Sequence, residues 1–260
     1  MMMKKSIFIL LLLTTASSLF AQEEYVARVL ITQGNDTLHY KELLPDDYNP
    51  QARYPLVLFL HGAGERGSDN QAQLTHGSRM FTNPVNRGKY PAIVLFPQCP
   101  KEKFWSFDRL PERREYQPGA FPANGKMATP LRAVKELLDQ YMASGKVDLN
   151  RIYVMGLSMG GMGTFDLVCR YPDLFAAAVP ICGGVNPERL QSTAGKVKFR
   201  IFHGDRDNVV PVENSRACYV ALIKFGADVR YEEIVGCAHD SWTPAFNMPD
   251  FLSWIFEQSK

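Results

Sequence analysis

What this chain lacks removes several functions before any motif is considered. Its 29 basic and 27 acidic side chains leave a formal net charge of only +2, and the lysines and arginines are scattered along the sequence. Neither a basic stripe nor an aromatic stacking pattern is present, so nucleic acid and anionic membrane surfaces are not expected partners. The five cysteines, Cys99, Cys169, Cys182, Cys218 and Cys237, match no zinc-ligand spacing, and neither a metal nor another cofactor is expected. Internal repeats, low-complexity tracts and interdomain linkers are missing too. The apolar stretch Ile7–Leu13 is too short to cross a bilayer as a helix.

The chain has 260 residues, 46% of them hydrophobic, enough to bury one sizeable core. Its start reads as a leader. Positive charge in Met1–Lys5, the apolar stretch Ile7–Leu13 and the small, polar Thr14–Ala21 match the three regions of a secretory signal peptide. Cleavage is expected after Ala21, although Leu19, three positions before the cut, is larger than usual. No cysteine follows the apolar region, so a lipid anchor is not expected. These features predict a leader over residues 1–21 and a single domain over 22–260, secreted or periplasmic, with no stable membrane insertion after cleavage. The odd cysteine count leaves at least one thiol free or paired between chains. Most of the cysteines read as small buried hydrophobes; Cys237, two residues before His239, is also placed to form a disulfide that steadies its loop. The oligomeric state stays open.

The segment that carries chemistry is Gly156-Leu157-Ser158-Met159-Gly160. It follows the apolar run Arg151–Met155 and precedes a helix-patterned stretch, the strand, turn and helix context of a nucleophile elbow. A serine hydroxyl is a weak nucleophile at neutral pH, so it needs exposure, an adjacent base and amide donors for the oxyanion. Three other segments end in suitable groups. The apolar run Tyr54–Leu60 reads as a buried parallel strand and ends in His61-Gly62-Ala63-Gly64, where backbone amides can face a cavity. The amide of Met159 would supply the other half of an oxyanion hole. The strand Val197–Phe202 runs into a loop with two candidate acids, Asp205 and Asp207. Val209-Val210-Pro211 beyond Asp207 reads as an anchor for the loop, which favours Asp207, whereas Asp205 reads as a turn residue or a partner of Arg206. The strand Val229–Val235 leads to His239, the histidine placed to act as base. Ser158, Asp207 and His239 occur in the chain order Ser, Asp, His found in α/β-hydrolases.

With these residues the chain resembles α/β-hydrolases of the secreted esterase type, close to a group of predicted peptidases and phospholipase/carboxylesterase-like proteins. It is more distantly similar to feruloyl esterases and polyhydroxybutyrate depolymerases. The resemblance runs from about Tyr54 to the C-terminus and is carried by Leu60-His61-Gly62-Ala63-Gly64-Glu65-Arg66-Gly67, by Val147–Tyr153 leading into Gly156–Gly163, and by the Asp207 and His239 loops. It implies that Ser158 attacks an ester carbonyl, His239 takes its proton and Asp207 orients His239. It also implies that Ala63 carries the first oxyanion amide.

The remaining pattern fits an α/β fold with a mainly parallel central sheet and helices on both faces. Tyr25–Ile31 and Thr37–Leu44 read as an antiparallel pair around Gly34-Asn35-Asp36, and Ala92–Phe96 as a buried strand. Helical periodicity runs through Thr129–Met142, Asn214–Phe225 and Pro249–Phe256. Two irregular segments, Glu65–Val85 and Gln98–Asn124, follow strands and are expected to shape the substrate site. The second holds Phe104, Trp105, Phe107, Tyr116 and Phe121. Trp105 and Trp242 are the expected pocket walls, because flat amphipathic rings suit sugars and aromatic acyl groups; the alternative is that such aromatics pack the loop onto the body. The expected function is a secreted serine carboxylesterase acting on short acyl or hydroxycinnamoyl esters, small or glycan-linked. A serine peptidase on the same fold and a non-catalytic binding protein are the alternatives. The lack of a separate lid domain argues against long-chain fat.

Overall fold

The computed structural model describes residues 24–106, 116–118 and 120–260; the expected leader and Phe107 lie outside them. The first strands, β1 (Val26–Ile31) and β2 (Thr37–Leu43), pair antiparallel with Ile31 opposite Thr37. Their turn is closed by the Asn35 N–H donating to the Thr32 carbonyl at 2.9 Å. Asn35 takes the left-handed conformation, φ 63°, which asparagine tolerates better than most side chains.

Strands and helices then alternate: β3 (Tyr54–Leu60), α1 (Ser78–Thr82), α2 (Pro84–Lys89), β4 (Ile93–Pro97), α3 (Thr129–Ala143), β5 (Val147–Leu157) and α4 (Met159–Arg170). They are followed by β6 (Ala177–Ile181), β7 (Lys198–Gly204), α5 (Glu213–Lys224), β8 (Val229–Ile234), α6 (Trp242–Phe246) and α7 (Phe251–Phe256). Among the described residues the strands form one sheet in the order β1-β2-β4-β3-β5-β6-β7-β8. Every pairing from β4 to β8 is parallel, and only β1 and β2 run against their neighbours.

The central strands are near-continuous apolar runs because both of their faces are covered. Leu56, Leu58 and Leu60 of β3 pack with Leu131, Val134 and Leu138 of α3 and with Phe165 of α4. The alternate residues, Val57 and Phe59, face Phe81 of α1 and Phe251 and Ile255 of α7 on the other side. Helix α3 buries Leu131, Val134, Leu137 and Leu138, the spacing of one helical face. The edge strand β8, Val-Arg-Tyr-Glu-Glu-Ile, keeps a polar, half-exposed character that discourages further strand pairing.

Strand β6 is absent from the expected strands, and its sequence explains why. Ala-Ala-Val-Pro-Ile is short, small and interrupted by Pro180, which cannot donate to a ladder. Its register with β7 accordingly passes from Ala178↔Phe199 directly to Ile181↔Phe202. The strands that matter for chemistry end on one side of the sheet: β3 runs into His61, β5 into Ser158, β7 into the Asp207 loop and β8 into the His239 loop.

Candidate active site

Ser158 stands between the last residue of β5 and the first of α4 with φ 53° and ψ −118°. A non-glycine residue held there carries about 1 to 3 kcal/mol of backbone strain, which the surroundings must enforce. Its N–H donates to the Ile181 carbonyl at 2.9 Å and its carbonyl accepts from Met162 N–H at 3.0 Å. The crossing of β5, β3 and α4 is too tight for side chains on either side of the serine. A Cβ on Gly160 would lie 1.9 Å from the Leu60 carbonyl oxygen, and one on Gly156 would lie 2.5 Å from the Gly160 carbonyl oxygen. Glycine at both positions is therefore what lets the turn close.

His239 reaches this turn from the loop after β8. Its Nδ1 lies 2.7 Å from Asp207 Oδ2 and its Nε2 lies 2.9 Å from Ser158 Oγ. A carboxylate only accepts, so Nδ1 bears the proton and Nε2 is left to accept from the serine hydroxyl. The structure thus brings together Ser158, His239 and Asp207, with the Asp207 side chain buried and the His239 side chain 20% exposed. Asp207 Oδ1 accepts from Val209 N–H at 2.8 Å and Val210 N–H at 2.9 Å. Burial alone would raise the Asp207 carboxyl, but hydrogen bonds from His203 and His239, the charge of His239 and the Val210 N–H outweigh it. The group is held well below the usual carboxylate range. Asp205 does something else: its Oδ1 accepts from Gly236 N–H at 2.6 Å, fastening the loop that carries His239.

Ala63 opens a short 3-10 turn, Ala63–Glu65, and Met159 opens α4. The N–H of a first helical residue has no acceptor within its own helix. The backbone of Leu60 and His61, which leads to Ala63, lies against Gly160, next to Met159. The loop before Ala63 is fixed by His61, whose Nδ1–H donates to the Gly62 carbonyl at 2.6 Å while its Nε2 accepts from Cys99 N–H at 2.9 Å. Burial lowers this imidazole to about 4; the Gly62 hydrogen bond opposes the shift and Arg66 adds to it. Arg66 holds the other side of the turn, its Nε–H donating to the Ala63 carbonyl at 2.9 Å.

The two tryptophans part company. Trp242 is half-buried, with its ring 5.5 Å from that of His239 and 5.2 Å from that of His76. Trp105, an expected pocket wall, is instead fully buried. Its Nε1–H donates to the His61 carbonyl at 3.0 Å, its ring meets the His61 ring edge-on at 5.1 Å, and it packs in the core with Leu60 and Leu131. The indole is drawn inward because His61 offers a buried acceptor beside an apolar bed, satisfying both ends of an amphipathic ring. The five cysteines are all free thiols, and Cys237 faces Asp240 at 3.6 Å rather than another sulfur. Cys182, which the sequence did not single out, lies beneath the site with φ 40° and its thiol 3.6 Å from the His239 carbonyl. Ligand atoms of Cys182, Asp207 and His239 lie within 4.8 Å of one another. The imidazole of His203 was also missed. The available signal was a histidine following the apolar Ile201-Phe202 at the end of a strand, where a buried ring must find polar partners.

The Esterase family model, described as "Putative esterase", matches residues 33–243. The chain belongs to this esterase family. A solved thermostable esterase is 36% identical, with a TM-score of 0.84 over 93% of this chain and 64% of that one. A probable carboxylesterase of Oryza sativa is 27% identical over 200 residues, 72% of this chain and 81% of its own. The poly(3-hydroxyalkanoate) depolymerase C of Paucimonas lemoignei is 42% identical over 52 residues, so the chain spans only 13% of it. A ferulic acid esterase of Anaeromyces mucronatus, 15% identical, shares the fold with a TM-score of 0.63 over 90% of both chains. The fold of this esterase-family chain is that of the α/β-hydrolases.

Proposed function

We propose that the protein is a serine carboxylesterase in which Ser158 is the nucleophile, His239 the general base and acid, and Asp207 the orienting carboxylate. The observation that supports this reading is the continuous contact from Asp207 Oδ2 through His239 to Ser158 Oγ, at 2.7 Å and 2.9 Å. As Oγ attacks the acyl carbon, its proton passes to His239 Nε2 and the carbonyl π electrons move to oxygen, toward the Ala63 and Met159 amides. Collapse expels the alcohol, which takes the proton from Nε2 and leaves an acyl-serine. Water, deprotonated by the same nitrogen, then attacks the acyl carbon; the bond to Oγ breaks, Oγ takes the proton back from Nε2, and the acid leaves.

The substrate side of the proposal is short acyl or hydroxycinnamoyl esters, free or attached to a glycan, with Trp242 as the remaining aromatic wall beside His239. It includes export, on the leader pattern of Met1–Ala21. The test is hydrolysis of p-nitrophenyl esters from acetate to octanoate and decanoate, run beside a panel of peptide p-nitroanilides. Turnover is expected on acetyl to butyryl esters and to fall at about ten carbons, with no comparable anilide cleavage. Preference for the anilides would replace the esterase by a peptidase, and inertness to both panels would favour a binding protein.

A further inference from the structure

Asp207 is gripped from two sides, and the second grip belongs to a residue that the proposed reaction does not use. His203, the penultimate residue of β7, is completely buried. Its Nε2 lies 2.9 Å from the Val210 carbonyl oxygen and 3.2 Å from Asp207 Oδ2. Both are acceptors, so Nε2 carries a proton and shares it between them. Its Nδ1 lies 2.7 Å from Ser215 Oγ of α5. In the neutral ring Nδ1 accepts, and the Ser215 hydroxyl donates to it. Strand β7, the acid loop and helix α5 are joined through this one imidazole. Asp207 consequently receives four N–H groups: Val209 and Val210 on Oδ1, His239 and His203 on Oδ2.

We propose that His203 is a positioning residue for the proposed catalytic acid: its Nε2–H, set by the Val210 and Asp207 acceptors on a ring anchored at Nδ1 by Ser215, fixes the Asp207 carboxylate in the orientation that meets His239 Nδ1. This rests on the esterase reading of Ser158, His239 and Asp207. The physical reason is directional. Two amides fix Oδ1 but leave rotation about it open, and His239 is the group the carboxylate must orient, so it cannot also be what holds the carboxylate still. An imidazole buried in the sheet supplies a fixed third point. Val210, which donates to Oδ1 through its N–H and accepts from His203 through its carbonyl, ties the same loop to the same ring.

The test compares wild-type protein with His203→Leu, His203→Gln and Ser215→Ala. It reads kcat and KM separately on p-nitrophenyl acetate and follows the downfield proton resonance of His239 Nδ1–H. Buried partners that orient a functional group typically contribute 10- to 100-fold, so His203→Leu should lower kcat by about that factor with KM nearly unchanged. Its downfield resonance should broaden or vanish. His203→Gln, which keeps an N–H donor in the position of Nε2, should recover most of kcat and the resonance. Ser215→Ala should lower kcat by several-fold, between the two. A folded His203→Leu with wild-type kcat and resonance would overturn the proposal, and so would a His203→Gln no better than Leu. If His203→Leu does not fold, wild-type kcat and resonance in Ser215→Ala overturn it. Wild-type protein that neither turns over esters nor reacts with a fluorophosphonate at Ser158 would sink the esterase reading instead. Loss of the resonance in His203→Leu would still support the positioning contact.

Discussion

Replacing Trp105 with alanine tests whether this ring supports the fold or meets substrate. The indole is fully buried, donates to the His61 carbonyl at 3.0 Å and packs against Leu60 and Leu131. Truncating a buried tryptophan typically costs about 3 to 5 kcal/mol through lost transfer energy and the cavity left behind. The unpaired His61 carbonyl adds a smaller penalty of the same sign. In a domain of this size each kcal/mol lowers Tm by about 2 to 4 °C, so a loss of about 4 kcal/mol lowers it by about 8 to 16 °C. Trp105→Phe keeps most of the volume and loses the N–H, which limits the cost to about 1 to 3 kcal/mol. Thermal unfolding by circular dichroism gives the shift directly. Activity measured well below the lowered Tm should fall by the same factor on p-nitrophenyl acetate and on a feruloylated glycan, because the His61 loop behind Ala63 serves both. A remote platform would act only on substrates that reach it. An unchanged Tm with a selective loss on the glycan ester would refute the packing argument and return Trp105 to the pocket wall.

Other substitutions address the chemistry and its pH dependence. Ser158→Ala should leave a folded protein whose esterase rate is lower by several orders of magnitude, retaining on the order of 10³ to 10⁴ over water from the oxyanion amides and binding; a rate near wild type would end the nucleophile assignment. Asp207→Asn should be severe, because an amide in place of Oδ2 cannot hold His239 in the required tautomer, whereas Asp205→Asn keeps an acceptor for Gly236 N–H and should be mild; the reverse order in kcat/KM would move the acid to Asp205. His61, lowered to about 4 by burial, should make stability pH-dependent. Its folded pKa lies below the unfolded value of about 6.5, so the unfolded chain binds the extra proton and stability is lost as pH falls through that interval. At about 1.4 kcal/mol per pH unit the interval amounts to at most about 3 to 4 kcal/mol, visible as a lower urea midpoint at pH 4.5 than at pH 7. His61→Gln should flatten that difference, and an unaltered pH slope in the variant would show that other groups carry it.

The elbow was legible because its constraints are local. A strand that must turn sharply into a helix while the end of β3 crosses it needs glycine at Gly156 and Gly160, and the 1.9 Å approach of a Gly160 Cβ to the Leu60 oxygen is written in the sequence as that glycine. The buried parallel strands were legible for a related reason, since two covered faces leave no room for alternating polar residues. β6 escaped because its burial is achieved with small residues and a proline. Ala177 and Ala178 supply none of the large apolar side chains that run through β3 and β4.

The aromatic loop and the acid loop were harder because their meaning depends on residues far away in the chain. Trp105 has an amphipathic ring that suits a substrate platform and a core hydrogen bond equally well, and only the His61 carbonyl, 44 residues away, decides between them. Asp205 and Asp207 present the same functional group two residues apart. What separates them is the direction each carboxylate faces: Asp205 turns to the Gly236 amide, while Asp207 turns to two imidazoles, one from β7 and one from the loop after β8. Sequence order could rank these acids through the Val209-Val210-Pro211 anchor, but that anchor is only part of what holds the loop. The rest is His203, and the Ser215 hydroxyl that anchors its ring lies on a helix whose periodicity says nothing about a buried serine meeting a strand-end histidine. The acid's orientation is a property of β7, its loop and α5 together, so substitutions at His203 or Ser215 should reach Ser158 through Asp207 and His239 without either residue touching the ester.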